Sequence, residues 1–418
     1  MRIDKITIQN FKGFENKIFE FNPHFNLIVG VNGAGKTSLI DALQVALGGW
    51  YNGIKLVTSD RRDIRKNEIK LKTFEIGNKI ILEPQFPVSI SVKGNVNNEN
   101  IEWIRTKTEI GNTNSGGLNT KFISNIINSV RSGENTILPL IACYSVSRLW
   151  FIPKEEKRET DDLSRLAGYK EWSSPKLIAS RINEWIFLEE QRAYREDLPV
   201  DEGGRLLKQA ILLCLDQAKR ILYNIDYKQI VIQFEDGHAV PYGNLSDGQR
   251  SLLTLVADIA RRIITLNPHL QDSALLETPG VVLIDELDIH LHPTWQRRVI
   301  SDLRRTFPKI QFIVTTHSPQ IIGEAKADEI ILLDSKDQIH PSQSFGMDSN
   351  WILKHIMGAE DQDPAARDAI KEIFDLIEDD NFDDAKIKIQ AARHYVEGDH
   401  PDLAEASALV ERYLRIGR

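Results

Sequence analysis

The sequence contains only two cysteines in 418 residues, Cys143 and Cys214, and they lie far apart. This spacing excludes a disulfide framework and a cysteine-based zinc site, and two reduced thiols are typical of a cytoplasmic protein. No apolar run approaches the roughly 20 residues that a membrane-spanning helix requires. The chain begins at Met1 directly on a strand pattern, without the apolar segment of a signal peptide. We therefore expect a cytoplasmic protein without a membrane partner.

An excess of basic charge is also absent. The 52 Lys and Arg residues are outnumbered by 60 Asp and Glu residues, which gives a formal net charge of −8. This balance argues against a uniformly basic nucleic-acid-binding protein, although it is compatible with a local basic cleft. A hydrophobic content of 41% and a charged content of 27% are typical of a soluble globular protein. The length exceeds the roughly 250–300 residues of a single core, so we expect several lobes.

A glycine-rich segment follows the apolar run Leu27–Val29. It has the sequence Gly-Val-Asn-Gly-Ala-Gly-Lys-Thr at 30–37, and a helical pattern comes after it. In this order of strand, loop and helix, backbone N–H groups and the helix dipole face a phosphate, while the lysine reaches the β- and γ-phosphates. The sequence therefore predicts a nucleoside triphosphate site. Its predicted residues are Gly30, Asn32, Gly33, Ala34, Gly35, Lys36, Thr37 and Ser38.

A second apolar run, Val281–Ile284, ends in two adjacent carboxylates. We predict that Asp285 holds Mg²⁺ together with the Thr37 hydroxyl, because carboxylate and hydroxyl oxygens are the ligands that Mg²⁺ prefers. Glu286 is predicted to orient and deprotonate the attacking water. His290 and His292 come shortly afterwards and leave two interpretations open: a metal pair without an evident third ligand, or a role in the loop and its packing.

Two further helix and strand ends carry polar residues. Ser246 is a good N-cap for a long helix that we predict through about Thr265, and the free N–H groups at its start form an anion site that needs a partner. The apolar run 310–314 ends in Thr-Thr-His317-Ser, which puts an imidazole at the tip of another buried strand. A short run at 329–333 is predicted to close the sheet.

The segment between these motifs is predicted to form an inserted β lobe and a helical lobe over 51–224. Alternating residues at 88–92 and 101–105 indicate a hairpin joined through 94–98. One amphipathic face is predicted to join Leu207, Ile211, Cys214, Ala218 and Ile221 in a single helix. Lys12 and the basic run 61–66 leave two interpretations each, a phosphate contact or a solvated side chain.

We assign 1–345 to an α/β head, with its core at 1–50 and 225–345, and 346–418 to a C-terminal helical region. Three apolar stripes support the helices. They begin at Ile370, Ile389 and Leu403. The only Asp-x-Asp pattern there, at 361–363, follows no apolar strand and precedes proline, so we expect a helix-entry loop rather than a nuclease centre.

Four motifs in this order resemble the ABC-type ATPase heads of the branch shared by SMC, RecF and OLD-like proteins. They are the P-loop, Leu-Ser-Asp-Gly-Gln at 245–249, the apolar run with Asp285-Glu286, and Thr316-His317. The resemblance covers about 1–50 and 225–335 strongly. It implies a P-loop NTPase fold with a mixed sheet, a β lobe and a helical lobe. Within the branch, the chain is most similar to the ATPases of bacterial anti-phage systems of the Septu (PtuA-like) and retron types.

The resemblance also implies roles for matching residues. ATP and Mg²⁺ would be bound in cis, with Lys36, Glu286 and His317 as catalytic residues and His317 as the γ-phosphate sensor. Residues predicted to act in trans, on the nucleotide of a second subunit, are Ser246, Asp247, Gly248, Gln249 and Asp288. The chain departs from the family pattern in lacking a convincing Q-loop glutamine, for which the region Tyr144–Arg148 is the expected substitute.

The implied partner is a second copy in a head-to-tail homodimer, or a larger assembly of such dimers. Because no other catalytic unit is evident, we expect a separate effector, a nuclease, to dock on the C-terminal helices. The alternative is a RecF-like DNA-binding repair ATPase, which the net acidity disfavours. A transporter motor fits poorly, since the segment between the P-loop and 245–249 is long.

Overall fold

The computed structural model describes residues 1–54, 62–76, 79–109, 115–118, 120–146, 164–173, 182, 185–188, 191, 202–224, 226, 229–333, 338–359, 363–395 and 400–416. The chain divides into two units, Met1–Asp348 and Ser349–Arg418. None of the helices in the described part of the chain is long and apolar enough to cross a membrane.

The central sheet of the first unit has six strands in the order β16-β15-β3-β14-β13-β9. Their bounds are β3 Phe25–Val29, β9 Leu140–Tyr144, β13 Gly280–Ile284, β14 Ile310–Thr315, β15 Ile330–Leu333 and β16 Gln338–Ile339. Every residue of β3, β9, β13 and β14 is buried, as expected for parallel strands covered on both faces. The prediction that 329–333 closes the sheet is wrong, because β16 pairs antiparallel with the outer side of β15.

A second, antiparallel sheet has the order β2-β1-β6-β7-β8. Its strands are β1 Arg2–Phe11, β2 Phe14–Glu20, β6 Val88–Val96, β7 Glu99–Lys107 and β8 Ser115–Gly116. The predicted hairpin forms between β6 and β7, but it turns at Asn97 and Asn98, which have φ of 49° and 67°. Gly94 lies inside β6 and not in the turn. Glycine is needed there because a Cβ would approach the Arg2 carbonyl of β1 to 2.2 Å. Inserted strands therefore extend a sheet that the N-terminal strands begin.

Two smaller sheets complete the strands. One is a two-stranded ribbon of β4 Leu71–Ile76 and β5 Lys79–Pro84, and the other joins β10 Ala218–Asn224, β11 Gln229–Phe234 and β12 Ala239–Pro241. The predicted helix through Leu207 and Ile221 is wrong at its end. The helix stops at Cys214, and the chain turns at Gln217, which has φ of 57°. Ile221 lies in β10, where it pairs with Ile232 of β11. The spacing of 218 and 221 fits the helical period, but the pairing with β11 makes this segment a strand, with a register irregularity between Ala218 and Arg220.

The helices of the first unit whose bounds lie within the described residues are α1 Lys36–Gly48, α2 Thr120–Arg131, α3 Glu202–Cys214, α4 Asp247–Leu266, α5 Ala274–Glu277, α6 Pro293–Gln296, α7 Val299–Thr306 and α8 Pro319–Ile322. In the second unit they are α9 Ser349–His355, α10 Pro364–Glu378, α11 Phe382–Tyr395 and α12 Pro401–Ile416. The helices α10, α11 and α12 share one apolar core that includes Ile373, Ala385 and Leu403. Val410 is fully buried in this core.

This topology brings three chain segments together. The strands β3, β14 and β13 are adjacent and parallel, so their carboxyl ends meet at one edge of the sheet. The P-loop follows β3, the carboxylate pair follows β13, and the segment with His317 follows β14.

Candidate nucleotide-binding site

The loop between β3 and α1 has the backbone conformation of an anion cradle. Gly33 and Gly35 have φ of 84° and 104°, in the left-handed region that favours glycine. Gly35 is the N-cap of α1, and no side chain caps this helix. The first N–H groups of α1 are therefore free of side-chain caps and face the loop, where the helix dipole favours a negative ligand. On either side, Asn32 is exposed and Ala34 and Ser38 are half-buried.

Lys36 lies folded over the loop. Its Nζ donates hydrogen bonds to the carbonyls of Gly30, at 2.7 Å, and of Val31, at 3.1 Å. Burial lowers the pKa of this ammonium, and the charges of Asp285, Glu286 and Asp288 oppose that shift. The three carboxylates thus act electrostatically on the one lysine, which places the residues from β3–α1 and from the end of β13 in one site.

Asp285 is buried at the end of β13 and has both carboxylate oxygens engaged. The Thr37 hydroxyl donates to Oδ2 at 3.2 Å, and the Thr315 hydroxyl donates to Oδ1 at 2.7 Å. Thr315 also accepts the N–H of Glu286 at 2.7 Å, so this one hydroxyl orients both acidic residues. Sequence reasoning did not identify Thr315, although a polar residue at the end of a buried strand was the available signal.

The oxygens of Thr37 and Asp285 fit a magnesium ion chemically. Both are hard oxygen donors, they lie 3.2 Å apart beside the P-loop, and one of them is a buried carboxylate whose second oxygen is already held. By contrast, no cluster of three or more His, Cys, Asp or Glu side chains that could hold a metal occurs in the part of the chain that the structure describes.

Glu286 is half-buried and takes a left-handed backbone conformation with φ of 53°. This conformation is uncommon for a residue with a Cβ and is found where surrounding structure holds it, often at functional sites. Two hydrogen bonds to Thr315 hold this turn. The Glu286 N–H donates to the Thr315 hydroxyl, and the Leu287 N–H donates to the Thr315 carbonyl at 2.9 Å.

Asp288 joins this turn to the segment after β14. Its Oδ1 accepts the Thr316 hydroxyl at 2.6 Å and the His317 N–H at 3.2 Å. Gln296 donates to the Leu291 carbonyl at 2.8 Å and accepts the Ser318 hydroxyl at 2.7 Å. Gln296 is a second positioning residue that sequence reasoning missed, because its partner Ser318 lies 22 residues away along the chain.

The start of α4 is arranged differently. Ser246 and Asp247 are exposed, and Ser246 forms a capping box with Gln249, whose N–H it accepts at 3.3 Å. Gly248 is buried against the turn after β13, since a Cβ there would lie 2.2 Å from the His290 carbonyl. Gly248 thus contacts the backbone of its own chain, while Ser246 and Asp247 beside it stay exposed.

The two histidines of the turn have loop positions. His290 is exposed with φ of 63°, and the His292 ring accepts the Thr294 N–H at 3.4 Å as the N-cap of α6. The helical segment that follows is interrupted between α6 and α7. This geometry supports the loop role among the two interpretations.

Tyr144, in the region expected to replace the Q-loop, is fully buried and donates to Asp258 of α4 at 2.9 Å. Asp258 also pairs with Arg262 at 2.7 Å, and Arg262 donates to the Gly168 carbonyl at 2.9 Å. Burial alone would raise the pKa of Asp258, but the charges of Arg262 and Arg261 outweigh it and hold the pKa well below its usual range. This network anchors α4 beside β9. Arg148 lies outside the described residues.

Lys12 and Arg62 have structural partners. Lys12 forms an ion pair with Asp41 of α1. Arg62 is 3% exposed, pairs with Glu68 and lies 3.3 Å from Asp41. The interpretation of a fully solvated loop is wrong for Arg62, because its guanidinium is buried with these carboxylates.

Two family models described as AAA domain match the chain, one over residues 5–202 and the other over residues 118–323. The chain is 27% identical to the protein named Retron Ec83 probable ATPase of Escherichia coli, covering 87% of this chain and 77% of that protein. It is 23% identical to Septu protein PtuA of Bacillus thuringiensis, covering 91% and 90%. A segment of 47 residues, 11% of this chain and 5% of the relative, is 51% identical to a DNA double-strand break repair Rad50 ATPase of Saccharolobus solfataricus.

This chain is an ATPase, because two AAA-domain models match it and relatives named as ATPases resemble it over most of its length. Its similarity to a Rad50 ATPase is confined to one short segment. The structure brings Lys36, Thr37, Asp285, Glu286 and Asp288 of this ATPase into one site, with the His317 backbone bonded to it. Within the described residues, the side-chain hydrogen bonds of Ser246 stay inside its own capping box with Gln249.

Proposed function

We propose that this ATPase works as an ATP-gated pair of identical heads that regulates a separate effector in anti-phage defence. The observation that carries the proposal is the contrast between an assembled P-loop site and an exposed helix start at Ser246. A single chain has one of each. A head-to-tail pair would bring each Ser246 to the nucleotide of the other copy, which gives two composite sites.

Within one subunit, the P-loop N–H groups and Lys36 bind the phosphates, while Thr37 and Asp285 would hold Mg²⁺. When bound, Mg²⁺ would neutralise charge on the phosphate oxygens. Glu286 accepts a proton from the attacking water, and His317 contacts the γ-phosphate. Thr315 and Asp288 keep these groups in place through the bonds described above.

Across the pair, Ser246, Gly248 and Gln249 bind the γ-phosphate of the other subunit, and Asp247 and Asp288 lie at the same interface. Asp288 has one oxygen committed to its own chain, so its second oxygen is the one available for a contact in trans. Hydrolysis removes the γ-phosphate, and with it the interaction that distinguishes the paired state from the separate one.

Mixed pairs of two inactive variants test this arrangement. Glu286→Gln lacks the base, and Ser246→Asp places a carboxylate against the γ-phosphate. A pair of one chain of each kind contains one intact composite site. Mixing them should restore about a quarter of wild-type ATPase activity, since about half of randomly assorted pairs are mixed and each has one working site of two. No recovery, with both variants folded and able to bind ATP, contradicts the composite site.

The defence role rests on the similarity to ATPases named for retron and Septu systems. We infer that the partner is a nuclease and that it docks on the helices of the second unit. Purification from the native host tests this with the full chain and with a variant that ends at Asp348. Equal recovery of a partner by both, with ATPase activity retained by both, would rule out docking on these helices.

The Rad50 match favours a second candidate, a DNA-binding repair ATPase. This function predicts ATP-dependent affinity for duplex DNA that falls steeply as salt rises, because binding to phosphates releases counterions. DNA affinity that is absent at low salt in the presence of ATP would remove this candidate.

A further inference from the structure

The ribbon of β4 and β5 belongs to no larger sheet within the described residues. Every residue of its two strands except Pro84 is exposed. Six of these are large apolar side chains: Leu71, Phe74, Ile76, Ile80, Ile81 and Leu82. Proteins normally protect open strand edges with charge, proline or a covering element, and a two-stranded hairpin alone is marginally stable in water. The ribbon therefore has the properties of an interaction surface.

The apolar side chains occupy both faces of the ribbon. Thr73 pairs with Leu82 and Phe74 with Ile81, so Leu82 and Ile81 lie on opposite faces. A partner packed on one face would leave the other exposed. A strand added at an edge instead provides neighbours for the rows on both faces. The distribution of apolar residues thus favours extension of the sheet.

The sequence of β5 is complementary to itself. Lys79, Ile81 and Glu83 share one face, and Ile80 and Leu82 share the other. Consider two copies of β5 running antiparallel about a twofold axis through Ile81. Lys79 then lies opposite Glu83 of the second copy, Ile80 lies opposite Leu82, and the two Ile81 side chains meet. Opposite charges and apolar pairs at directly facing positions stabilise an antiparallel sheet.

The edge of β4 has no equivalent register. Its charged residues are Lys72 and Glu75, which lie on opposite faces of the ribbon. A twofold antiparallel pairing places only residues of the same face opposite each other, so no symmetric register brings Lys72 to Glu75. Self-complementarity therefore distinguishes β5 from β4.

We propose that β5 is a self-association edge, at which two copies of this chain join their ribbons into a four-stranded antiparallel sheet centred on Ile81. This interface involves no nucleotide, so it does not depend on the ATP-gated pairing proposed above. It would link chains whether or not ATP is bound, and it offers a route to assemblies larger than a pair.

Cross-linking tests the register in the full-length protein without nucleotide. Ile81→Cys puts two thiols opposite each other, and both native cysteines are buried. Under mild oxidation, most of this variant should become a disulfide-linked dimer on a non-reducing gel. Glu83→Cys is the matched control on the same edge. Its two copies would lie four residues apart along the strands, roughly 13 Å, beyond the reach of a disulfide. No dimer from Ile81→Cys, or equal yields from both variants, overturns the proposal.

Charge reversal provides an independent test by sedimentation, again without nucleotide. Lys79→Glu sets two carboxylates opposite each other twice per interface, and we expect about tenfold weaker self-association. Adding Glu83→Lys to the same chain should restore it. Lys371→Glu makes the same charge change on α10 and should have no effect. Since Glu83 also faces Lys72 within the ribbon, thermal unfolding of each variant is measured alongside. Self-association unchanged by Lys79→Glu, or weakened and not restored in the double variant, contradicts the paired edge.

Discussion

Two helix N-termini in the first unit differ in what they offer an anion. The start of α1 has a glycine loop with left-handed backbone, no side-chain cap, a lysine and a neighbouring buried carboxylate. The start of α4 is capped by its own Ser246 and Gln249, and its exposed first residues have no such loop. The first combines the parts that we propose for a phosphate site, whereas the second has N–H groups and a dipole but lacks the other parts. A helix N-terminus of the second kind acts only when another molecule brings the anion to it.

The comparison also shows how the two helices are held. The first turn of α1 contacts one carboxylate directly, through the hydrogen bond from Thr37 to Asp285. The helix α4 is anchored from its middle, where Asp258 and Arg262 bond to Tyr144 and to the segment near Gly168. These contacts lie about three turns from its N-terminus, where Gly248 packs against the turn after β13 while Ser246 and Asp247 stay exposed.

Loss of the lysine should have the largest effect. Lys36→Ala removes charge-assisted hydrogen bonds to two phosphates, each worth about 1.5–3 kcal/mol, so ATP affinity should fall by about a hundredfold or more. Isothermal titration with ATP and Mg²⁺ measures this. Unchanged ATP affinity would show that the start of α1 is not the phosphate site, so the contrast with the start of α4 would no longer hold.

Loss of the base should leave the first site filled and inactive. Glu286→Gln keeps the shape of the side chain but removes proton acceptance, so ATP hydrolysis should fall by about 10²–10⁴-fold while ATP affinity stays near that of the wild type. Single-turnover hydrolysis and equilibrium binding separate the two. Turnover at the wild-type rate would refute the role of Glu286.

Changes at Ser246 should separate helix capping from the contact with a second subunit. Aspartate caps a helix as well as serine does, but its charge repels a γ-phosphate. Ser246→Asp should therefore keep the melting temperature and ATP affinity and lose about 10–100-fold in hydrolysis. Ser246→Thr is the matched control and should retain activity. Equal activity of the two variants would mean that α4 has no part in the reaction.

The anchor of α4 should affect stability and its pH dependence. Asp258→Asn leaves the buried Arg262 without its counter-charge, and we expect the free energy of unfolding to fall by about 3–5 kcal/mol at pH 7. The folded-state pKa of Asp258 is depressed, so its contribution is present above the unfolded pKa of about 3.9 and is lost as the pH falls below it. Urea unfolding between pH 3 and 7 should show this acid-side loss in the wild type and a weaker one in the variant. Identical pH profiles would show that Asp258 is not the ion that anchors the helix.

Sequence reasoning anticipated elements whose information is local. Turns, caps and buried strands have short patterns in contiguous residues. The sequence therefore predicted the P-loop, the N-cap at Ser246 and the carboxylates that follow Val281–Ile284. It failed for Ala218 and Ile221, whose spacing suits a helix although pairing with β11 makes the segment a strand. It also missed Thr315 and Gln296, whose importance depends on partners about 30 and 22 residues away. The roles of the site residues and the boundary at 345 stay predictions.

The sequence by itself determined that this chain is an ATPase, because a glycine loop, a lysine and strand-end carboxylates state their chemistry through residue type and spacing alone. Only the tertiary structure decided that Thr315 orients both carboxylates, that Arg62 is buried with Glu68, and that β5 presents an open edge. The physical reason is that a hydrogen bond, an ion pair or an unpaired edge is a relation between segments. Its existence depends on the distance between them in the folded chain, which no local pattern contains.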